Sequence, residues 1–309
     1  MKSDYIWMDG ELVAYEQATV HFLTPTLHYG TGVFEGIRCY ETPKGPAVFR
    51  LREHLERFMD SIQIVGIRDF PYSLEELHHA VHLTIQANGF LECYIRPLVY
   101  MVGPLGLNLD AWRPAVGIAV WRWEPFLGKE ALETGVRLLV SSFTRHHPNV
   151  MMTKAKVVGN YANSTLAKTV ATRAGFEETI LLDPQGYVAE CSGENLFLVR
   201  EGVIYTPPRT TILEGITRDA VITLAKDLDL TVVEEPVSRD QLYIADEVFL
   251  TGTAAEVVPV REIDYRMIGD GRKGRITGIL QQAFYQTVCG QGARSAEWLD
   301  YVDETVYAV

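Results

Sequence analysis

The sequence predicts two domains, a small α+β domain at the N-terminus and a larger α/β domain in the rest of the chain. Its 309 residues, 47% of them hydrophobic, exceed the size at which a single core usually stops growing. The pattern also changes along the chain, from hairpins and paired helices to strands interleaved with helices. Residues 126–134 combine glycine with charged residues and predict a linker between domain 1–125 and domain 135–309.

The first domain begins with strand signals and continues with helices. Alternating apolar and polar residues flank the turn signals Asp9-Gly10 and Pro43-Lys44-Gly45-Pro46, as in β-hairpins. Helical spacing of apolar residues follows, and Ser73 with Glu76 forms a capping-box signal. The predicted elements are hairpins at 5–23 and 33–50, helices at 52–65 and from Ser73, and strands at 94–102 and 115–123.

The second domain alternates strands with helices. Strands are predicted at 136–143, 178–182, 195–199, 231–237 and 246–250, and helices at 160–173, 216–228 and 274–287. Residues 290–309 contain glycine and acidic residues, so we expect them to be peripheral.

Charge and cysteine content exclude several classes of protein. A formal charge of −12 and a pI near 5.2 disfavour binding to nucleic acids or anionic membranes, which requires clustered basic residues. The four cysteines form no C-x-x-C pair and no histidine spacing suggests zinc, so no metal site is predicted. No segment has the length and apolar character of a signal peptide or membrane span. A cytoplasmic protein with reduced thiols is expected.

The strongest local signal is the segment Thr153-Lys154-Ala155-Lys156-Val157-Val158-Gly159-Asn160-Tyr161, which leads into a predicted helix. A lysine removed from water beside apolar residues becomes a better nucleophile for a carbonyl group. Lys154 and Lys156 are two residues apart and would face the same side of a strand. Periodicity therefore leaves both as candidates.

Six further motifs occur in the order found in branched-chain aminotransferases of pyridoxal-phosphate (PLP) fold type IV. They are HYGTGVFEGIRCY at 28–40, KGPAVFRLREHLER at 44–57, YIRPL at 94–98, AECSGENLF at 189–197, EGITRDA at 214–220 and LTGTAAEVVPV at 250–260. The chain resembles this family over almost its whole length. The resemblance implies a small α+β domain, a larger domain with a β-barrel-like core surrounded by helices, and a homodimer or higher homo-oligomer.

The resemblance also implies which residues bind the PLP cofactor. The family lysine is followed by two variable residues and Gly-Asn-Tyr, which matches Lys156 and makes it the catalytic residue, with Lys154 as runner-up. Glu190 corresponds to the carboxylate that keeps the pyridine nitrogen protonated, and Glu194 is interpreted as structural. The remaining implied cofactor ligands are Arg57, Tyr161, Leu213, Ile216, Thr217 and Thr253. Ile216 and Thr217 begin a helix, whose N-terminus favours an anion such as phosphate.

The implied reaction is transamination between L-branched-chain amino acids and 2-oxoglutarate. Its pocket must accept an aliphatic side chain as well as a carboxylate. Aromatic walls can accept the first, and one arginine can accept the second. The implied substrate-binding residues are Tyr29, Phe34, Gly36, Arg38, Tyr94, Arg96, Leu107, Thr253, Ala254 and Ala255. In this family Tyr29 and the loop 103–108 complete the site of the neighbouring subunit.

Some positions depart from the family pattern and leave alternatives open. Cys191 follows the carboxylate where many relatives have a small residue, Glu214 replaces a frequent proline, and the loop 103–108 lacks the common Gly-Val-Asn-Pro form. The alternative is a D-amino-acid or (R)-amine transaminase on the same fold, including mixed activity. A related lyase and a non-catalytic binding protein are more distant alternatives.

Overall fold

The computed structural model describes residues 3–122, 127–128 and 130–302. The chain forms two compact units. Unit 1 comprises Met1–Trp123, Ala155–Asn160 and Thr287–Val309, and unit 2 comprises Glu124–Lys154 and Tyr161–Gln286. The expected linker 126–134 falls partly outside the described residues, and its bounds remain a prediction. Unit 1 therefore includes two segments from later in the sequence, and the segment Ala155–Asn160 contains Lys156.

The N-terminal part of unit 1 confirms the predicted hairpins, helices and strands. Its elements are β1 (Tyr5–Met8), β2 (Glu11–Ala14), α1 (Pro25–Tyr29), β3 (Gly32–Phe34), β4 (Ile37–Thr42), β5 (Gly45–Phe49), α2 (Leu51–Val65), α3 (Leu74–Asn88), β6 (Cys93–Val102) and β7 (Arg113–Trp121). The first hairpin ends at Ala14 rather than at residue 23, because a short 3-10 turn follows and Pro25 opens α1. Ser73 forms the predicted capping box with Glu76.

Unit 2 contains every strand and helix predicted for the second half, together with strands that the sequence did not indicate. Its elements are α4 (Ala131–Thr134), β8 (Val136–Thr144), α5 (Tyr161–Arg173), β9 (Glu178–Leu182), β10 (Val188–Cys191), β11 (Asn195–Arg200), β12 (Val203–Thr206), α6 (Ile216–Asp227), β13 (Val232–Glu234), α7 (Arg239–Tyr243), β14 (Glu247–Gly252), β15 (Glu256–Ile263), β16 (Arg266–Met267) and most of α8 (Arg275–Val288). The chain then returns to unit 1 as α9 (Ser295–Trp298) and β17 (Leu299–Tyr301).

Unit 1 is built on an antiparallel sheet in the order β17-β5-β4-β6-β7-β1-β2, with β3 paired to β6. Along β6, residues from Ile95 onward alternate between buried and partly buried, so one face of the strand lies against the core. Helix α3 packs against β1 and β7, and α2 packs against α3. Strand β6 pairs with both β3 and β4, so Tyr94 and Arg96 of β6 lie beside the strands that carry Phe34 and Arg38.

Unit 2 is built on a mixed sheet in the order β10-β9-β8-β15-β14-β11-β12-β13, which curls into a half-barrel. Strand β8 is parallel to both β9 and β15. Its core consists of fully buried aliphatic side chains, among them Leu138, Ile180, Leu196 and Leu250. None of the helices in the described part of the chain is both long and apolar enough to cross a membrane.

The expectation that residues 290–309 are peripheral is wrong for the part that the structure describes. Trp298 and Leu299 are buried, at 5% and 7% exposure, and β17 pairs with β5. The Arg50 guanidinium also lies 5.4 Å from the centre of the Trp298 ring. The glycine and acidic content of this region led to the wrong expectation, because the region also contains a short apolar segment that forms the edge of the sheet.

Candidate active site

The backbone around Lys156 is held in unit 1 from two sides. The N–H of Phe34 in β3 donates to the Lys156 carbonyl at 3.1 Å, and the Lys156 N–H donates to the Ser61 hydroxyl of α2 at 3.0 Å. Val157 forms an isolated antiparallel bridge with Val33. These bonds fix the point from which the Lys156 side chain extends. Nothing in the local pattern around Ser61 indicated this role.

Two glycines allow this segment to approach the end of α1. Gly30 has a φ of +69°, and its carbonyl accepts the N–H of Gly159 at 3.0 Å. A Cβ on Gly30 would lie 2.8 Å from the Gly159 Cα, closer than any ordinary contact. Both glycines belong to quoted motifs, and their role is to let two backbones meet.

The two candidate lysines have different surroundings. Lys154 belongs to unit 2, where its Nζ lies 2.7 Å from Glu214 Oε1 and donates to the Arg209 carbonyl. Lys156 is half-buried in unit 1, with Nζ 5.1 Å from the centre of the Phe34 ring. The chain between them forms turns, so the expectation that both face one side of a strand is wrong. An ammonium group held by a carboxylate is a poor nucleophile, which favours Lys156.

Arg57 on α2 is oriented by a buried carboxylate. Its Nε and Nη2 donate to the two oxygens of Glu35 at 2.7 and 2.8 Å, and His54 Nδ1 lies 2.8 Å from Glu35 Oε2. Burial alone would raise the pKa of Glu35, but Arg57 and His54 lower it well below its usual range. Burial lowers the pKa of His54, so the imidazole is neutral at pH 7. Glu35 was missed as a functional residue, although it lies within the first quoted motif.

Arg96 lies among three aromatic rings. Its Cζ is 4.6 Å from the centre of the Phe34 ring, 5.4 Å from that of Tyr94 and 5.8 Å from that of Trp121. The Arg96 Nε is buried without a hydrogen-bond partner in the described part of the chain. A buried donor of a charged group without an acceptor is costly, so the position suits an incoming carboxylate. Phe34 contacts both this guanidinium and the Lys156 amine.

Gly36 and Arg38 support Tyr94 from the neighbouring strand. A Cβ on Gly36 would lie 2.0 Å from the Tyr94 hydroxyl oxygen, so only glycine permits this position of the ring. Arg38 is directly opposite Tyr94 in the β4–β6 ladder. The Arg38 guanidinium is paired with Glu92 at 2.5 Å and lies 4.6 Å from the centre of the Tyr40 ring. A contact of Arg38 with substrate remains a prediction.

Tyr29 and Leu107 are the exposed members of the predicted substrate set. Tyr29 ends α1 and stacks on Trp112, with ring centres 5.8 Å apart and planes 7° from parallel. Trp112 Nε1 also donates to the Pro104 carbonyl at 2.8 Å, which holds the loop 103–108. Leu107 is 88% exposed. An apolar side chain this exposed is suited to burial by another chain.

In unit 2, Glu190 lies on β10 and is 6% exposed. Its Oε1 is 2.5 Å from Arg145 Nε, and its Oε2 accepts the Leu213 N–H at 3.1 Å and the Asn195 Nδ2 at 3.4 Å. A buried carboxylate is stable only with such partners. Asn195 lies within a quoted motif and its role was missed, whereas nothing in the sequence indicated Arg145.

Helix α6 presents its N-terminus with glycine at the N-cap. Gly215 has no side chain that could cap the first N–H groups of the helix, and Asn195 Oδ1 would lie 2.0 Å from a Cβ at this position. Thr217 in the first turn is 2% exposed and Ile216 is 8% exposed. Uncapped N–H groups at the start of a 12-residue helix favour an anion.

The remaining predicted residues lie on turns and helix starts of unit 2. Thr253, Ala254 and Ala255 form the tight turn between β14 and β15, which confirms the predicted turn after a strand. Strand β14 packs against α6. Tyr161 begins α5 after a 3-10 turn, and Leu213 is tied to Glu190 through its N–H.

Glu194, the local competitor of Glu190, is also buried, and its surroundings disfavour the charged form. Burial raises the pKa of Glu194 to about 8, and the charge of Glu178 adds to the increase. Glu178 is itself paired with Lys168 at 2.7 Å. Because the pKa of Glu194 is raised whereas Glu190 is paired with Arg145, Glu190 is the better candidate for a carboxylate that must carry charge.

Comparison with known proteins agrees with this arrangement. The family model described as amino-transferase class IV matches residues 32–263. A branched-chain-amino-acid aminotransferase of Pseudomonas aeruginosa is 49% identical over 294 residues, which cover 95% of each protein. The crystal structure of the Escherichia coli branched-chain amino acid aminotransferase matches with a TM-score of 0.94 at 47% identity, covering 98% of this chain and all of that one.

A third similar protein was solved with its cofactor. The branched-chain amino acid aminotransferase from Thermobaculum terrenum in its PLP form matches with a TM-score of 0.92 at 34% identity, over 98% of this chain and 99% of that one. The predicted fold class is thereby confirmed. From the family match and these near full-length similarities, the chain belongs to the class IV aminotransferases, with the fold of type IV PLP enzymes.

Proposed function

We propose that this protein catalyses PLP-dependent transamination between L-branched-chain amino acids and 2-oxoglutarate, giving branched 2-oxo acids and L-glutamate. The observation that carries the substrate class is the 49% identity, over 95% of the chain, to a protein named branched-chain-amino-acid aminotransferase. The aromatic surroundings of Arg96 support it, since rings accept an aliphatic side chain while the guanidinium accepts a carboxylate.

The described residues fit PLP in their chemistry. The chain offers the half-buried amine of Lys156, the buried carboxylate of Glu190 and the uncapped N-terminus of α6. The amine suits the aldehyde of PLP, the carboxylate suits its ring nitrogen, and the helix N-terminus suits its phosphate. When bound, PLP accepts the electron pair left as the Cα–H bond of the amino acid breaks.

Lys156 is proposed to hold the cofactor covalently until the amino acid displaces it. The freed amine would then take the proton from the substrate Cα as general base and return it, as general acid, to the cofactor carbon that had been bonded to the Lys156 nitrogen. Its fixed backbone limits the positions that Nζ can reach.

The other cofactor residues are proposed to orient the ring and phosphate. Glu190 keeps the ring nitrogen protonated, and its own orientation comes from Arg145 and Asn195. Tyr161 donates to the ring oxygen, and Leu213 packs on the ring face. Arg57, Ile216, Thr217 and Thr253 hold the phosphate.

The substrate residues divide by the part of the amino acid they meet. Tyr29, Phe34 and Tyr94 form the side-chain walls, with Gly36 and Arg38 supporting them and Leu107 closing the pocket of a neighbouring subunit. Arg96 takes the distal carboxylate of glutamate, and the N–H groups of the Thr253–Ala255 turn take the α-carboxylate. The D-amino-acid and (R)-amine alternative is not favoured by the names of the relatives.

A homodimer or higher homo-oligomer is part of the proposal. Leu107, at 88% exposure, and Leu27, at 62%, are apolar surfaces that a second chain would bury. We also propose a cytoplasmic location, which agrees with four cysteines that form no disulfide in the described part of the chain.

The test compares Lys156→Ala with Lys154→Ala by visible absorbance and activity. We expect wild type and the Lys154 variant to be yellow and to lose the colour with L-valine but not with D-valine or (R)-1-phenylethylamine. The Lys156 variant should lose the lysine-bound colour and at least about 1000-fold of its activity, because it lacks both the covalent link and the proton carrier. Bleaching by D-valine would refute the substrate class. Activity retained in the Lys156 variant but lost in the Lys154 variant would reassign the catalytic lysine.

A further inference from the structure

A cluster of two histidines and an aspartate joins α3 to the C-terminal strand within unit 1. His78 and His82 lie one helical turn apart on α3, with ring centres 4.5 Å apart. Their Nε2 atoms lie 2.6 and 2.8 Å from the two carboxylate oxygens of Asp300 on β17. None of the three takes part in the proposed transamination. The expectation of no metal site rested on cysteine and histidine spacing in the sequence, which did not single out His78 and His82.

We propose that His78, His82 and Asp300 bind a divalent transition-metal ion such as Zn²⁺, which fastens β17 to α3. Imidazole and carboxylate are preferred zinc ligands, and two histidines four residues apart on a helix present their rings on one side. One ligand atom from each residue lies within 4.8 Å of the others. Zinc ligands at about 2.1 Å from the metal are roughly 3–3.5 Å apart, so the cluster needs only a small outward movement to admit the ion.

The surroundings of His82 indicate that the cluster lacks a component. The His82 side chain is 7% exposed, and its Nε2 is shielded from water. This atom is 2.8 Å from Asp300 Oδ1 but poorly aligned for a hydrogen bond, and no other group in the described part of the chain bonds to it. A single carboxylate faces two ring nitrogens, and a dication would bind all three groups at once.

The cluster is also accessible. His78 and Asp300 are 32% and 31% exposed, so an ion can enter from solvent and water can complete a four-coordinate shell. Asp300 lies opposite Val48 in the β17–β5 ladder. A bound ion would therefore link α3 to the edge of the sheet through side chains, in addition to the ladder. The expected effect is on the stability of the folded chain rather than on turnover.

The experiment measures zinc bound by the PLP-loaded protein after incubation with ZnCl₂ and gel filtration in chelator-free buffer. Wild type should retain one zinc ion per chain, and His82→Gln and Asp300→Asn should each retain less than a tenth of that amount. The matched control is His79→Gln, because His79 is the exposed neighbour on the same helix and should leave binding unchanged. Equal zinc in all four proteins, or none in wild type, would overturn the site.

Thermal unfolding gives a second measurement that does not depend on activity. At zinc concentrations about 100-fold above Kd, the melting temperature of wild type and His79→Gln should rise by about 5 °C. The other two variants should melt cooperatively without zinc, which shows that they fold, and should not respond to it. A zinc-dependent rise in Asp300→Asn equal to that of wild type would refute the proposal. Unchanged turnover with valine in Asp300→Asn would separate this result from any failure of the proposed transamination.

Discussion

Replacing Arg96 with methionine should separate glutamate from valine as substrates. Methionine fills a similar volume among the Phe34, Tyr94 and Trp121 rings but removes the buried cation. A hydrogen bond to a charged group contributes about 1.5–3 kcal/mol, so kcat/KM for L-glutamate should fall roughly 10- to 150-fold. The Arg96 Nη2 donates a long hydrogen bond of 3.4 Å to the Tyr94 hydroxyl, so little bonding within the protein is lost with the guanidinium. Valine lacks the distal carboxylate and should lose less than about 3-fold.

The assay is steady-state kinetics with each amino donor in turn and with the protein saturated with PLP. Arg96→Lys serves as a second variant, since it keeps the charge but loses the planar fork, and should fall between wild type and Arg96→Met for glutamate. Equal losses for valine and glutamate in the methionine variant would show that Arg96 supports the fold of the pocket and does not receive the distal carboxylate.

Three further changes test the supporting structure. Glu194→Gln should gain stability relative to wild type as pH rises from about 5 to 8. The raised pKa of Glu194 means that wild type loses up to about 1.4 kcal/mol of unfolding free energy per pH unit in this range, whereas glutamine does not titrate. If the difference in unfolding free energy between the two proteins, measured in urea, is the same at pH 6 and pH 8, the Glu194 carboxyl is not involved. Gly30→Ala should destabilise the protein by about 1–3 kcal/mol more than Gly89→Ala. Gly89 is the control because it has a similar φ of +61° but open space around it. Equal melting temperatures of the two variants would contradict the close approach of Gly30 to Gly159. Asn195→Ala should weaken PLP binding about 5- to 10-fold through loss of its hydrogen bonds to Glu190 and the Leu213 carbonyl, and an unchanged dissociation constant for PLP would exclude this positioning role.

The sequence by itself determined the fold class, most elements and the residue types needed for the chemistry. Turn signals, helical spacing and the Ser73 capping box act over a few residues, and the structure has the corresponding elements. The order of the motifs along the chain identified the family. Such motifs include residues that the backbone geometry requires as well as residues with chemical roles. The Gly30 and Gly159 pair is one example, since each glycine is required by the backbone of the other.

Only the tertiary structure shows how the surroundings differ between groups whose local sequence is equivalent. Lys154 pairs with Glu214, whereas the backbone of Lys156 is hydrogen-bonded to β3. Glu190 pairs with Arg145, whereas burial raises the pKa of Glu194. The same is true of Asp300, whose histidine partners lie more than 200 positions earlier in the chain. Partners and burial of this kind depend on long-range contacts, so the surroundings of each side chain became visible only in the folded chain.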